Sequence, residues 1–200
     1  SFPGGAAPLV RVCNNLYALE LWHGPTAAFK DMALQIMPRL LSRALVKTGE
    51  TRHALILVAT SGDTGKAALE GYRNVDRVKI MVFYPVDGVS RVQKLQMATQ
   101  TGDNLRVVAI KGNFDDAQTG VKNIFADREM AERLNEHGYI LSSANSINWG
   151  RLVPQIVYYI SAYCDLLNKG VIRNGEQIDV CVPTGNFGNI FAAYLAIALA

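Results

Sequence analysis

The sequence predicts an α/β fold, with a parallel, doubly wound sheet carrying helices on both faces. Three observations lead to it. Short runs rich in Val, Ile and Leu recur along the chain, each gives way to a segment with helical apolar spacing, and glycine-bearing turns occupy several of the junctions. Half of the 200 residues are apolar, enough for one large domain or for a small domain plus part of another.

Taken in order, the segment DMALQIMPRLLSRAL has helical spacing, with Asp31 suited to the positive first turn and Pro38 expected to kink or break the helix. HALILVAT then reads as a strand before the helical TGKAALEGYRN, and RVKIMVFYP as a strand before SRVQKLQMATQ. LRVVAIKG precedes one helical pattern, DDAQTGVKNIFADREMAERLN. YILSSA precedes a long helix through about Asn168, and IDVCVPTG reads as a last strand before an apolar helix that runs to the end. The polar stretch SSANSINWG is the best candidate seam, with a second near KGVIRNGEQ. That final helix carries no cap, and the chain opens without methionine, so part of a longer protein is expected.

Charge and composition exclude several classes. The net charge is +3 with basic residues scattered, so no surface for nucleic acid is expected. Cys13, Cys164 and Cys181 are few, odd in number and far apart, which argues against a disulfide framework or a zinc cluster and for buried free thiols. His23, His53 and His137 show no ligand spacing, so no metal is expected. With neither a signal peptide nor a membrane-length apolar stretch, a cytoplasmic, membrane-free protein is the default.

Ligands of open parallel sheets gather where strands end and helices begin, so the junctions are where chemistry is sought. In HGPTAAFKD, residues 23–31, Lys30 follows small and apolar residues. It either opens a helix with its stem against the core or is held in a partly dry site because its amine reacts. TSGDTG, residues 60–65, combines two glycines and three hydroxyls before a helix, and suits an anion or simply caps the helix. A nucleotide P-loop fails on spacing, because Thr60 stands at the required glycine and Ala67 at the metal-binding hydroxyl. PTGNFGN, residues 183–189, can turn several backbone N–H groups toward a phosphate. SANSINWGR groups Asn145, Ser146, Asn148 and Arg151, either to grip a phosphate or carboxylate or as a helix cap with a surface arginine. A desolvated lysine, a phosphate cup and a further anion loop are together the parts that pyridoxal phosphate requires.

In this order the four motifs resemble the threonine synthases, of the tryptophan-synthase-β-like, fold type II pyridoxal-phosphate enzymes. The resemblance covers the whole 200 residues and the middle part of the family's longer chain. It implies a two-domain architecture in which residues 1–50 begin the core, 51–145 form the smaller domain and 146–200 open the larger one. Lys30 is then the Schiff-base lysine, and Gly185, Asn186, Phe187, Gly188 and Asn189 hold the cofactor phosphate. Asp63 lies beside the ring hydroxyl, where many relatives have asparagine. Ser61 and Thr64 bind the substrate carboxylate, and Asn145, Ser146 and Arg151 its phosphate. The family's side chain facing the ring nitrogen falls beyond Ala200. The implied reaction turns O-phospho-L-homoserine and water into L-threonine and phosphate, in a monomer or homodimer. A phospho-lyase releasing 2-oxobutanoate, a threonine or serine dehydratase, and a noncatalytic phosphate-metabolite binder are the alternatives.

Overall fold

Strands β3 (His53–Ala59), β4 (Val78–Pro85), β5 (Leu105–Ile110) and β6 (Tyr139–Ser143) form one parallel sheet in the order β5-β4-β3-β6. This is a computed structural model describing residues 2, 5–60, 62–146 and 148–199. The chain divides into two units, residues 34–145 and residues 1–33 with 146–200. The sheet belongs to the first. Its alternating apolar positions Ile56, Val58, Ile80 and Val82 are buried, and α2 (Asp63–Tyr72) adds Ala67, Ala68, Leu69 and Tyr72, all without exposure. α3 (Arg91–Ala98) buries Met97.

α4 (Phe114–Ala126) and α5 (Arg128–Glu136) replace the single helix expected over residues 115–135. Asp127 makes the break. Its extended backbone ends α4, and its carboxylate accepts the Met130 amide at 3.0 Å to start α5. The helical pattern was continuous across a residue whose side chain competes for backbone donors.

α1 (Asp31–Lys47) continues through Pro38, so of the expected kink or break the break does not occur. Proline removes the N–H that the Leu34 carbonyl would receive. That oxygen instead faces Gly71 so closely that a Cβ there would lie 2.0 Å from it. A bare Cα–H surface can approach a carbonyl this way, and a methyl group cannot.

The other unit contains a hairpin of β1 (Leu9–Cys13) and β2 (Leu16–Leu19), which sequence periodicity did not reveal. It also contains α6 (Trp149–Asn168) and α7 (Gly188–Leu199), packed through Leu152, Ile156, Ala192 and Ala196. The expected strand in IDVCVPTG is absent, and residues 177–184 have no regular structure. No described strand pairs with them, so β propensity has no ladder to join. The three cysteines are free but exposed rather than buried. Cys13 lies on the hairpin, Cys164 on α6 and Cys181 in the unladdered segment.

Gly71 and Gly120 give opposite expectations for one substitution. Gly71→Ala should destabilise by about 1–3 kcal/mol through overpacking against Leu34. Gly120→Ala, in an exposed part of α4 with open space around it, should stabilise by about 0.5–1 kcal/mol. Chemical denaturation of the two variants measures both signs.

Candidate functional site

The loop that presents Lys30 is built around a buried carboxylate. Asp31 has no exposed surface, and its oxygens accept the Thr26 amide at 2.9 Å, the Thr26 hydroxyl at 2.6 Å and the Ala28 amide at 3.3 Å. The Asp31 amide donates back to the Ala28 carbonyl at 2.9 Å. These bonds hold Ala27 at φ 53°, a conformation that an alanine does not favour alone. Gly24 passes so close that a Cβ would sit 2.4 Å from the Asp31 Oδ2.

Tyr158 of α6 holds the next peptide, because its hydroxyl donates to the Phe29 carbonyl. Burial, reinforced by the negative charge of Asp31, pushes the Tyr158 phenol well above its usual pKa, so it remains a donor. Lys30 itself is half-buried, with Nζ 4.2 Å from the centroid of the Phe29 ring.

The neighbouring tyrosine anchors a second part of the site. Tyr159 Oη donates at 2.6 Å to the Asn189 side-chain oxygen and lies 3.0 Å from its carbonyl, and burial pushes the Tyr159 pKa up to about 12. Asn189 lies in the first turn of α7, just after Gly185 and Phe187, whose φ angles are 46° and 62°. Left-handed residues thus stand on either side of Asn186, a feature of the backbone turns that can bind anions. Among the described residues, the amides of Gly185, Asn186, Asn189 and Ile190 meet no acceptor. Space at Gly185 is open, with no atom within 4 Å of where a Cβ would stand. Free donors at a helix N-terminus with room before them fit a phosphate group.

Ser146 borders this turn: its Cβ and carbonyl oxygen are 3.4 and 3.6 Å from the Cβ position of Gly188. Arg151 stands in the first turn of α6, only 2% exposed, with its amide bonded to the Asn148 carbonyl at 2.8 Å. The surface-arginine alternative is therefore ruled out by burial. A guanidinium so far from water needs anionic or hydrogen-bonding company. Asn148 does cap the helix, its side chain accepting the Gly150 amide at 2.8 Å.

The other unit places its chemistry at a topological switch point. Successive strands are added on one side of β3 to give β4 and β5, and β6 then returns to the opposite side. Leu57 of β3 pairs with Ser143 of β6, so the loops that follow these strands leave the sheet side by side. One is TSGDTG and the other starts with Ala144 and Asn145. Thr60, only 2% exposed, accepts the Gly62 amide at 2.9 Å and the Gly65 amide at 3.0 Å, fixing the loop. Asp63 is exposed and accepts Gln93 Nε2 at 2.7 Å, with Lys66 Nζ at 3.8 Å. Thr64 is half-buried, and Ser61 lies outside the described residues.

Lys30, Ser146, Arg151 and residues 185–189 thus belong to one unit, and Asp63, Thr64 and Asn145 to the other. Asp31, Thr26, Thr60, Gln93, Tyr158 and Tyr159 were not foreseen in these roles. Asp31 carried one signal, a carboxylate directly after the lysine, but only its helix-start position was read. The tyrosines looked like ordinary apolar positions of a helix. Among the described residues, no cluster of His, Cys, Asp or Glu could hold a metal, and no helix is long and apolar enough to cross a membrane.

Comparison with known proteins bears on these parts together. The chain is 50% identical over 190 residues to the threonine synthase of Pseudomonas aeruginosa, covering 95% of this chain and 38% of that protein. It is 46% identical over 196 residues to human threonine synthase-like 1, covering 95% of this chain and 26% of the relative. The crystal structure of pyridoxal-phosphate-bound threonine synthase from Brucella melitensis superposes with a TM-score of 0.82 at 43% identity, covering 96% of this chain and 39% of that one. The chain therefore spans well under half the length of these relatives. Residues 3–200 match one family throughout, and the chain belongs to the pyridoxal-phosphate dependent enzymes.

Proposed function

We propose that this chain carries part of the active site of a threonine synthase, which converts O-phospho-L-homoserine and water into L-threonine and phosphate. The observation that carries the reading is the adjacency of two anion-binding features: Ser146 lies against Gly188 of the open amide turn, and the buried Arg151 follows in the first turn of α6. A phosphorylated substrate and a phosphorylated cofactor need two such features, whereas a plain serine or threonine dehydratase needs one. The similarity to threonine synthases supports the same choice.

In this reading residues 185–189 hold the cofactor phosphate through the amides of Gly185, Asn186 and Asn189, and Lys30 is the amine that holds its aldehyde end. When bound, pyridoxal phosphate supplies an electron sink for charge developed on the substrate carbons. Asp63, held by Gln93, would face the cofactor's ring hydroxyl. Ser61 and Thr64 bind the substrate carboxylate, while Asn145, Ser146 and Arg151 bind its phosphate. The freed amine of Lys30 moves protons at the α and β carbons. Phosphate departs from the γ carbon and water adds at the β carbon.

A second reading uses the same two anion-binding features. It is a phospho-lyase that releases 2-oxobutanoate instead of threonine. The two differ in product alone. Incubating the full-length protein with O-phosphohomoserine and pyridoxal phosphate should yield threonine and phosphate in equal amounts. Production of 2-oxobutanoate with phosphate assigns the lyase, and no phosphate release overturns both.

Two substitutions test the roles. Lys30→Ala should abolish turnover while leaving the protein folded, and retained turnover would move the chemistry to another lysine, Lys66 first. Arg151→Ala should lower kcat/KM for O-phosphohomoserine about ten- to a hundredfold, the worth of a charge-assisted hydrogen bond of roughly 1.5–3 kcal/mol. Side reactions with unphosphorylated serine should suffer far less. Arg151→Lys should rescue only partly, because it keeps the charge and loses the planar fork. Equal losses on both substrates would assign Arg151 to folding or to the carboxylate.

A further inference from the structure

We propose that Tyr158 and Asp31 are positioning residues that clamp the Phe29–Lys30 peptide from two sides and so fix the direction in which the Lys30 amine is presented. The proposal rests on the reading of Lys30 as the cofactor's amine.

The Phe29 carbonyl and the Lys30 N–H belong to one planar peptide group, so whatever holds the carbonyl also sets the plane from which the Lys30 Cα hangs. Tyr158 holds that carbonyl from α6. On the other side, Asp31 holds the amides of Thr26 and Ala28 and donates its own amide to the Ala28 carbonyl. Lys30 is therefore bracketed by an anchored residue before it and an anchored residue after it. Neither anchor is exchanged easily for water, since Tyr158 is 2% exposed and Asp31 is not exposed at all. An uncompensated carboxylate at that depth is strongly disfavoured, so its three donors are held together as a set. Gly24 adds a steric stop, because no side chain fits between it and Asp31.

A purely structural clamp and a positioning clamp differ in what they do to two ligands of the same shape. Pyridoxal phosphate and pyridoxine 5′-phosphate share ring and phosphate, but only the first has an aldehyde that a lysine amine can engage. Both affinities are measured by titration of the cofactor-free full-length protein. Tyr158→Phe should weaken pyridoxal phosphate about three- to tenfold and change pyridoxine 5′-phosphate by less than about twofold, as loss of one neutral hydrogen bond acting through Lys30 requires. Thr26→Val, which removes the hydroxyl donor to Asp31, should give the same pattern and serves if Tyr158→Phe does not fold. A wild-type preference for the aldehyde in the folded variants, or equal weakening of both ligands, overturns the clamp. Lys30→Ala separates the two layers of the argument. Persistence of the preference there overturns the role of Lys30 and the clamp with it. Its loss there, with no change in the Tyr158 and Thr26 variants, overturns the clamp alone.

Discussion

A carboxylate with no exposed surface must find its donors inside the protein, and at Asp31 that requirement shapes the chain around it. Thr26 and Ala28 supply the donors only if the intervening backbone curls back on itself, which places Ala27 in the left-handed region. Gly24 must then pass against the carboxylate. The same residue opens α1, where a negative charge meets the free N–H groups of the first turn. The position of Lys30 follows from this geometry, since it is the residue caught between the curled loop and the helix.

Helix α6 extends the constraint to the turn at residues 185–189. Its consecutive residues Tyr158 and Tyr159 point about 100° apart on an α-helix, so one helix can hold two separate backbone segments. Tyr158 reaches the Phe29 carbonyl and Tyr159 reaches Asn189. Both phenols are shifted toward higher pKa by burial, which keeps them neutral donors over the ordinary pH range. Leu152 and Ile156 on the same helix pack against Ala192 and Ala196 of α7, so apolar burial fixes the helix that continues from this turn. Alternation of aromatic hydroxyls and aliphatic side chains along α6 thus couples packing to the placement of polar groups.

Much of the sheet was legible because its signal is local and redundant. The four runs that became β3 to β6 are Val- and Ile-rich, and each is followed by a helix with its own apolar period. The glycine-rich turns were legible for the same reason, since their chemistry is written within six or seven residues. What failed depended on distant partners. IDVCVPTG has the composition of a strand, yet a strand exists only through its ladder, and no described neighbour supplies one. The Leu34 carbonyl, which Pro38 leaves without its helical donor, packs against Gly71 far along the chain. Asp127 splits a helix that periodicity alone reads as continuous. In the site, the lysine, the glycine turn and the polar loops are legible in the sequence, whereas periodicity does not tell Tyr158 and Tyr159 from core positions and only their hydroxyl partners do.

The groups proposed to bind anions are mostly neutral, and in that reading this bears on selectivity. They include backbone amides within residues 185–189, and hydroxyl and amide side chains stand at Ser146 and Asn145. Arg151 is the cation among them, and it is buried rather than displayed. A net charge of only +3 with scattered basic residues is consistent with that design, because recognition by oriented dipoles needs no long-range field. Dipoles fixed by the fold are also matched to one geometry, whereas flexible surface lysines would accept any anion of suitable charge. In the proposed reading, discrimination between a phosphate ester and a carboxylate would therefore depend on how rigidly the turns are held. In this chain the turns are held by a few groups: the buried Thr60 under one loop, the buried Asp31 under another, and Tyr158 and the half-buried Tyr159 of α6 between the lysine loop and the turn at residues 185–189.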